Sequence, residues 1–230
     1  MADLFTAPRV PRLAVSGSDN HFPVNRIFCV GQNYAAHAAE MGSHVDRTAP
    51  IFFTKGHHTV AYSGATIAFP PGTSSYHFEF ELVVALGANG FRVNLDEAAA
   101  MVFGYASALD MTRRDLQLAS KEKGRPWDTA KDVEESCVLT EIIPSADFTL
   151  GAQRIHLKVN GETRQDATFE ELVWSVPEII AELSALYHLK AGDVILTGTP
   201  AGVGPVAPGD QLEGQIDGLP TLTATVGPAP

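Results

Sequence analysis

The stretch Tyr76-His77-Phe78-Glu79-Phe80-Glu81-Leu82-Val83-Val84-Ala85-Leu86 constrains the chain most tightly. Aromatic and β-branched residues dominate it, and Gly72 and Gly87 punctuate its ends, so it predicts a β-strand over 76–86. Side chains alternate faces along a strand, which puts Glu79 and Glu81 on one face, about 7 Å apart. The opposite face carries Phe80, Leu82, Val84 and Leu86, and beyond Glu81 the first face turns apolar as well, with Val83 and Ala85. A strand apolar on both faces belongs inside a fold. Two like charges at its mouth repel, and burying them unpaired is costly. Two arrangements answer this. The glutamates point into water at a solvated strand end, or they share a cation, for which oxygen ligands suit Mg²⁺, Mn²⁺ or Ca²⁺.

The remaining pattern is that of a globular protein. With 45 % hydrophobic and 19 % charged residues among 230, the chain has the composition of an ordinary soluble domain. Its 16 Lys+Arg stand against 27 Asp+Glu, a formal net charge of -11, which argues against nucleic acid and anionic membrane as partners. No segment has the ~20 apolar residues of a membrane span, and the N-terminus has no signal-peptide run. Cys29 and Cys137 form no C-x-x-C pair or disulfide framework, which leads us to expect a reducing compartment, the cytoplasm.

In chain order, residues 1–22 are rich in Pro, Gly and polar residues and read as an arm. Arg26 to Val30 predicts a strand, and Asn33 an N-cap for a helix over 34–41 that stops at Gly42. His37 and Glu40, three apart, share a face of that helix. Such a pair is a candidate general base, although taken alone it reads as a surface ion pair. Pro50 to Lys55 predicts a second strand, with Lys55 emerging at the turn Gly56-His57-His58. Val102 to Asp110 is a nearly continuous apolar run, a buried strand that ends on a carboxylate. Thr112-Arg113-Arg114-Asp115 resembles a capping box opening a helix, on whose first turn Arg114 and Gln117 share a face. Residues 127–137 predict a loop bearing Lys131. Asn160-Gly161 predicts a β-hairpin, and Ser175-Val176-Pro177-Glu178 a second capping box before an amphipathic helix bearing Ile179, Ile180, Leu183, Leu186 and Tyr187. Gly198-Thr199-Pro200-Ala201-Gly202-Val203-Gly204 is a loop whose spacing fits no nucleotide-binding motif, but whose N–H groups could hold a carboxylate.

Taken together, four stretches resemble the fumarylacetoacetate hydrolase family: Arg26 to Glu40, Glu79 to Leu82, Asp110 to Gln117, and Gly198 to Gly204. The resemblance runs from about Phe22 to the end. It implies an α+β, β-rich fold, a mixed β-roll or sandwich with short flanking helices, forming a single catalytic domain over 23–230. It also implies a homodimer and a bound Mg²⁺, with Mn²⁺ or Ca²⁺ as alternatives. Carried over residue by residue, Glu79, Glu81 and Asp110 would be the metal ligands, and His37 with Glu40 the water-activating pair. Lys131 would be catalytic, and Arg114, Gln117 and Thr199 would contact substrate, with Arg113 reaching a distal carboxylate. The chain departs from the family at Lys55-Gly56, where relatives carry Lys-Pro.

The implied activity is hydrolysis of the C–C bond of a 2,4-dioxo acid, with fumarylpyruvate, cleaved to fumarate and pyruvate, as the expected substrate. Hydrolysis of other acylpyruvates and decarboxylation of oxaloacetate use the same chelated enolate and stand as alternatives. A metal-stabilised dicarboxylate-binding protein without turnover is the alternative from another class. His77-x-Glu79 resembles half of a cupin ligand set, but no histidine follows His188 to complete it.

Overall fold

The computed structural model describes residues 4–6 and 8–229. Strands dominate, and they curl into a roll with few helices, which is the β-rich α+β architecture expected. The main sheet runs, in order, Ile51–Lys55, Ile27–Gly31, Val194–Leu196, Phe80–Leu86, Val102–Asp110, Cys137–Leu139 and Val60–Tyr62. Phe80–Leu86 lies at its centre, antiparallel to both neighbours, with every residue buried. A five-stranded sheet (Glu162–Thr168, Arg154–Val159, Gln211–Ile216, Leu222–Val226, Thr66–Ile67) packs against it. The two meet where Gly214 faces Phe80: a Cβ on Gly214 would stand 2.4 Å from that ring, so only glycine lets it seat. Phe80 lies between the two glutamates, so this packing also fixes their spacing.

The single strand expected over 76–86 is two. Tyr76–Phe78 belongs to a small three-stranded sheet with Thr112–Arg113 and Gly204–Pro205, and Phe80–Leu86 belongs to the main sheet. Glu79 is the residue at which the chain passes between them, and its carbonyl accepts the Asp110 N–H at 2.8 Å. The strand Val102–Asp110 has the bounds its sequence predicts. Residues 12–23, placed in an arm by composition, form the hairpin Arg12–Val15 with Ser18–Pro23, and Leu13, Val15 and Phe22 are buried in a second apolar cluster with Cys29 and Cys137. Both cysteines are free. No helix among the described residues is long and apolar enough to cross a membrane.

Two caps differ from expectation. The helix Ala35–Glu40 is flanked by Tyr34 without a side-chain cap, because Asn33 is used elsewhere. Asn33 is buried, donates to the carbonyls of Trp174 (3.0 Å) and Thr197 (2.8 Å), and accepts the Trp174 N–H at 2.7 Å. Thr112 caps no helix either, since it pairs with His77 in the small sheet and its hydroxyl donates to the Asp110 carbonyl. Helix Arg114–Glu122 therefore starts uncapped at Arg113. The Ser175–Glu178 capping box forms as predicted and opens Val176–Leu186, which buries Ile179, Ile180 and Leu183 but leaves its last residue, Leu186, and the following Tyr187 exposed.

Candidate active site

Glu79, Glu81 and Asp110 come together at the mouth of the central strands, each offering one carboxylate oxygen within 4.8 Å of the others. They are buried, at 5 %, 1 % and 0 % exposure, which removes the solvated strand end as a reading. Four polar partners surround them. Arg114 Nη2 donates to Glu79 Oε1 at 2.5 Å, and Lys131 Nζ bridges Glu79 Oε2 (2.7 Å) and Asp110 Oδ2 (2.6 Å). The Gly198 N–H donates to Glu81 Oε2 at 2.7 Å. Lys55 Nζ stands 2.9 Å from Asp110 Oδ1, out of hydrogen-bond alignment, which leaves that buried oxygen without a donor.

These neighbours separate the two glutamates electrostatically. Burial alone would raise the Glu79 carboxyl, but Lys131 and Arg114 overcome it and hold the group well below the usual carboxylate range. Burial raises Glu81 well above that range, and the charges of Asp110 and Glu79 raise it further. Burial likewise opposes the charge on Lys131, but Asp110 and Glu79 raise its pKa above the ordinary lysine value. An all-oxygen donor set, an orphaned Asp110 Oδ1 and a Glu81 that resists ionising beside two carboxylates together fit a hard divalent cation.

His37 lines the same pocket, with Gln32, Met41, Phe53, Arg114, Gln117, Lys121, Trp127, Lys131 and Thr199. Its Nδ1 is 3.1 Å from Glu40 Oε2, and Glu40 in turn accepts the Gly202 N–H at 3.1 Å on Oε1. His37 is buried while Glu40 is exposed, so the pair spans the pocket wall and the surface. Gly202 sits at φ +96°, with the Arg164 carbonyl oxygen 1.9 Å from where a Cβ would be, so glycine is required there. The Gly198–Gly204 loop thus holds carboxylates, as its sequence suggests, but they are the protein's own: Glu81 through Gly198 and Glu40 through Gly202.

The remaining expected residues divide. Arg114 and Gln117 are buried in the pocket, and Arg114 Nη1 donates to Gln117 Oε1 at 2.5 Å, which turns the Gln117 amide N–H₂ away from Arg114. Lys131 lies on a short helix, Asp128–Lys131, where a loop was expected. Thr199 lines the pocket, but its hydroxyl donates to the Phe80 carbonyl (3.0 Å) and accepts from Gln165 (2.8 Å). Arg113 is not among the lining residues, and its Nη1 donates to the Thr129 carbonyl at 3.2 Å. His77 bonds Ser75 through Nε2, and burial pushes its pKa down to about 4. His58 stands 3.5 Å from Asp132 at the exposed turn.

Three supporting residues escape a reading by sequence. Lys55 is buried rather than emerging, and donates to Ser136 Oγ (2.8 Å) and to the Lys131 carbonyl. Gln165 accepts the Phe80 N–H and donates to Thr199 and the Pro200 carbonyl. The Gly56 N–H, a donor that a proline there could not supply, bonds Asp132 Oδ1 at 2.6 Å and so ties down the segment bearing Lys131.

A curled sheet that buries three converging carboxylates, with a glutamate-bonded histidine lining the same pocket, defines an enzyme with an oxygen-donor site for a metal ion. The chain belongs to the fumarylacetoacetate hydrolase family, whose C-terminal-domain model matches residues 26–227. It is 51 % identical over 191 residues to a fumarylpyruvate hydrolase of a Ralstonia species, covering 82 % of this chain and all of that one. It is 41 % identical over 199 residues to the oxaloacetate tautomerase YcgM of Escherichia coli, covering 86 % of this chain and 90 % of the relative. The crystal structure of fumarylpyruvate hydrolase from Pseudomonas aeruginosa in complex with Mn²⁺ and pyruvate superposes with a TM-score of 0.95 at 42 % identity, covering 98 % of this chain and 99 % of that one.

Proposed function

We propose that this protein hydrolyses fumarylpyruvate to fumarate and pyruvate. One observation carries the reading: Glu79 and Glu81 of the buried carboxylate trio and His37, paired with Glu40, line one pocket, in a chain 51 % identical to a fumarylpyruvate hydrolase. Glu79, Glu81 and Asp110 would hold the divalent cation, Mg²⁺ in our reading with Mn²⁺ or Ca²⁺ as substitutes. When bound, it supplies Lewis acidity that stabilises negative charge on the carboxylate and keto oxygens of a 2,4-dioxo acid.

The protein's own groups account for the rest. With Nδ1–H donated to Glu40, His37 keeps its lone pair on Nε2, the form needed to take a proton from water. The hydroxide oxygen bonds to C4, the C3–C4 bond breaks, and its electrons leave as the pyruvate enolate. The proton held by His37 goes to C3 and completes pyruvate, and C4 becomes the new carboxyl of fumarate. Lys131 has three N–H donors and uses two on Glu79 and Asp110, so one is free for the oxyanion at C4, beside the Gln117 amide. Arg114 Nε is buried without a partner and serves the substrate carboxylate. Since the Thr199 hydroxyl is committed, its contribution to that carboxylate comes from its backbone N–H.

We further read the protein as a homodimer of the cytoplasm, on the strength of the family resemblance and the free cysteines. Identity of 41 % to an oxaloacetate tautomerase favours a second reading, proton transfer at C3 of oxaloacetate by the same histidine. Turnover of fumarylpyruvate, acetylpyruvate and oxaloacetate with Mg²⁺, with product identification, tests the choice. The proposal expects equimolar fumarate and pyruvate and the highest kcat/KM on fumarylpyruvate. Enol–keto exchange of oxaloacetate without cleavage of any dioxo acid would overturn it.

A further inference from the structure

We infer that Lys121 holds the distal carboxylate of the substrate and thereby selects dicarboxylic dioxo acids over acylpyruvates with an uncharged acyl group. The inference deepens the reading above and rests on it. Arg114, Gln117 and Lys121 stand at i, i+3 and i+7 of helix Arg114–Glu122, a single face, and all three line the pocket. Arg114 and Gln117 are buried at the carboxylate trio, while Lys121 is half-buried and reaches solvent. At about 1.5 Å rise per residue, Lys121 lies roughly 10 Å further along the helix than Arg114.

Lys121 makes no hydrogen bond and no ion pair among the described residues, whereas Lys55, Lys131 and Arg114 are each engaged by site carboxylates. It is therefore the free cation of this pocket. The same lining includes apolar surface from Phe53 and Trp127, 5.8 Å apart between ring centroids, and from Met41. The pocket thus combines hydrogen-bond donors at the carboxylate trio, apolar surface, and a cation two helical turns away. A dioxo acid with a fumaryl arm offers the complementary groups: a chelating keto acid, a flat vinylene, and a carboxylate carbon five bonds beyond the C2 keto carbon, at most about 7.5 Å at about 1.5 Å per carbon–carbon bond. The flexible lysine stem spans the difference between that reach and its own position on the helix. Arg113, the other cation considered for this task, donates instead to the Thr129 carbonyl and does not line the pocket. In a chain of net charge -11, a cation at the pocket entrance also offsets the repulsion a dianion would meet.

The test compares Lys121→Gln, Lys121→Glu and Lys121→Arg with the parent enzyme, saturated with Mn²⁺. Two quantities are read: the kinetics of fumarylpyruvate and the inhibition constant of oxalate, a short chelator without a distal arm. We expect Lys121→Gln to raise KM for fumarylpyruvate roughly 10- to 100-fold with kcat within about threefold. Lys121→Glu should raise KM further and Lys121→Arg should restore most of the loss, while oxalate inhibition stays within about twofold throughout. An unchanged KM in Lys121→Gln, or a parallel loss of oxalate binding, overturns the inference while the parent still cleaves fumarylpyruvate. A parent that does not cleave fumarylpyruvate overturns the underlying reading instead.

Discussion

Replacing Lys131 by Met separates the two jobs the structure gives this lysine. Its ammonium lies 2.7 Å from Glu79 and 2.6 Å from Asp110, at 2 % exposure, so it is the central countercharge of the trio. Met has nearly the same length and no charge. Removing one partner of a buried ion pair costs about 3–5 kcal/mol, because the other charge stays buried. Here Arg114 still serves Glu79 and Lys55 still stands by Asp110, which places the expected loss near the lower bound, about 3 kcal/mol. For a chain of this size that corresponds to roughly 6–12 °C in Tm. Divalent cations should act in the opposite sense. The variant lacks a positive charge beside two of the three donors, so Mn²⁺ should bind at least about tenfold more tightly. Saturation at 100 times Kd stabilises the folded state by about 2.7 kcal/mol and should return most of the loss. Activity should nonetheless fall by about 10²–10³, as when one oxyanion donor is removed. The assay is urea unfolding of parent and variant at equal protein concentration, with and without Mn²⁺, alongside kcat on fumarylpyruvate. A variant as stable as the parent without metal, or one that gains no more from Mn²⁺ than the parent does, refutes the reasoning.

Two further expectations come from the same geometry. Burial and the neighbouring carboxylates raise the Glu81 pKa, so the metal-free site retains a proton that a cation must displace, and Mn²⁺ affinity should rise with pH by up to about tenfold per unit until Glu81 ionises by itself; calorimetry in buffers of different ionisation enthalpy checks the proton release, and a pH-independent affinity would contradict it. Gly202→Ala places a Cβ 1.9 Å from the Arg164 carbonyl at φ +96° and displaces the N–H that steadies Glu40, so kcat should fall about tenfold or more with Mn²⁺ affinity unchanged, and full activity with an unshifted melting curve would speak against that contact.

Much of this site is legible in local sequence, and the missing parts share a physical cause. Alternation along the extended chain suffices to bring Glu79 together with Glu81, even though Glu79 lies just before the strand Phe80–Leu86, and the apolar run before Asp110 suffices to end a buried strand there. The Asn160-Gly161 hairpin and the Ser175–Glu178 box likewise depend only on neighbours in the chain. Alternation does not reveal which sheet a strand joins, so the passage between sheets at Glu79 is invisible to it. Asn33 and Thr112 have the composition of caps, but Trp174 and Thr197, far along the chain, claim the Asn33 side chain, and pairing with His77 draws Thr112 into a sheet with its hydroxyl on the Asp110 carbonyl. Lys55, Gln165 and Gly56 act on groups 34 to 85 residues distant, and nothing in their own surroundings marks a buried polar role. Thr199, expected from the resemblance to contact substrate, lines the pocket, and only the structure reveals that its hydroxyl is already spent.

The central claim is that His37, steadied by Glu40, activates the water that cleaves the substrate. The most direct measurement is steady-state kinetics of His37→Ala on fumarylpyruvate, with oxaloacetate turnover and Mn²⁺ affinity followed in parallel. Removing a positioned general base costs about 10²–10⁴ in rate, so hydrolysis should fall by that factor. Mn²⁺ affinity should stay within about twofold, since His37 is absent from the carboxylate trio, and any oxaloacetate decarboxylation, which needs no water nucleophile, should fall much less. A His37→Ala enzyme that still hydrolyses fumarylpyruvate at the parent rate, or one that loses hydrolysis only in proportion to lost metal, would contradict the claim.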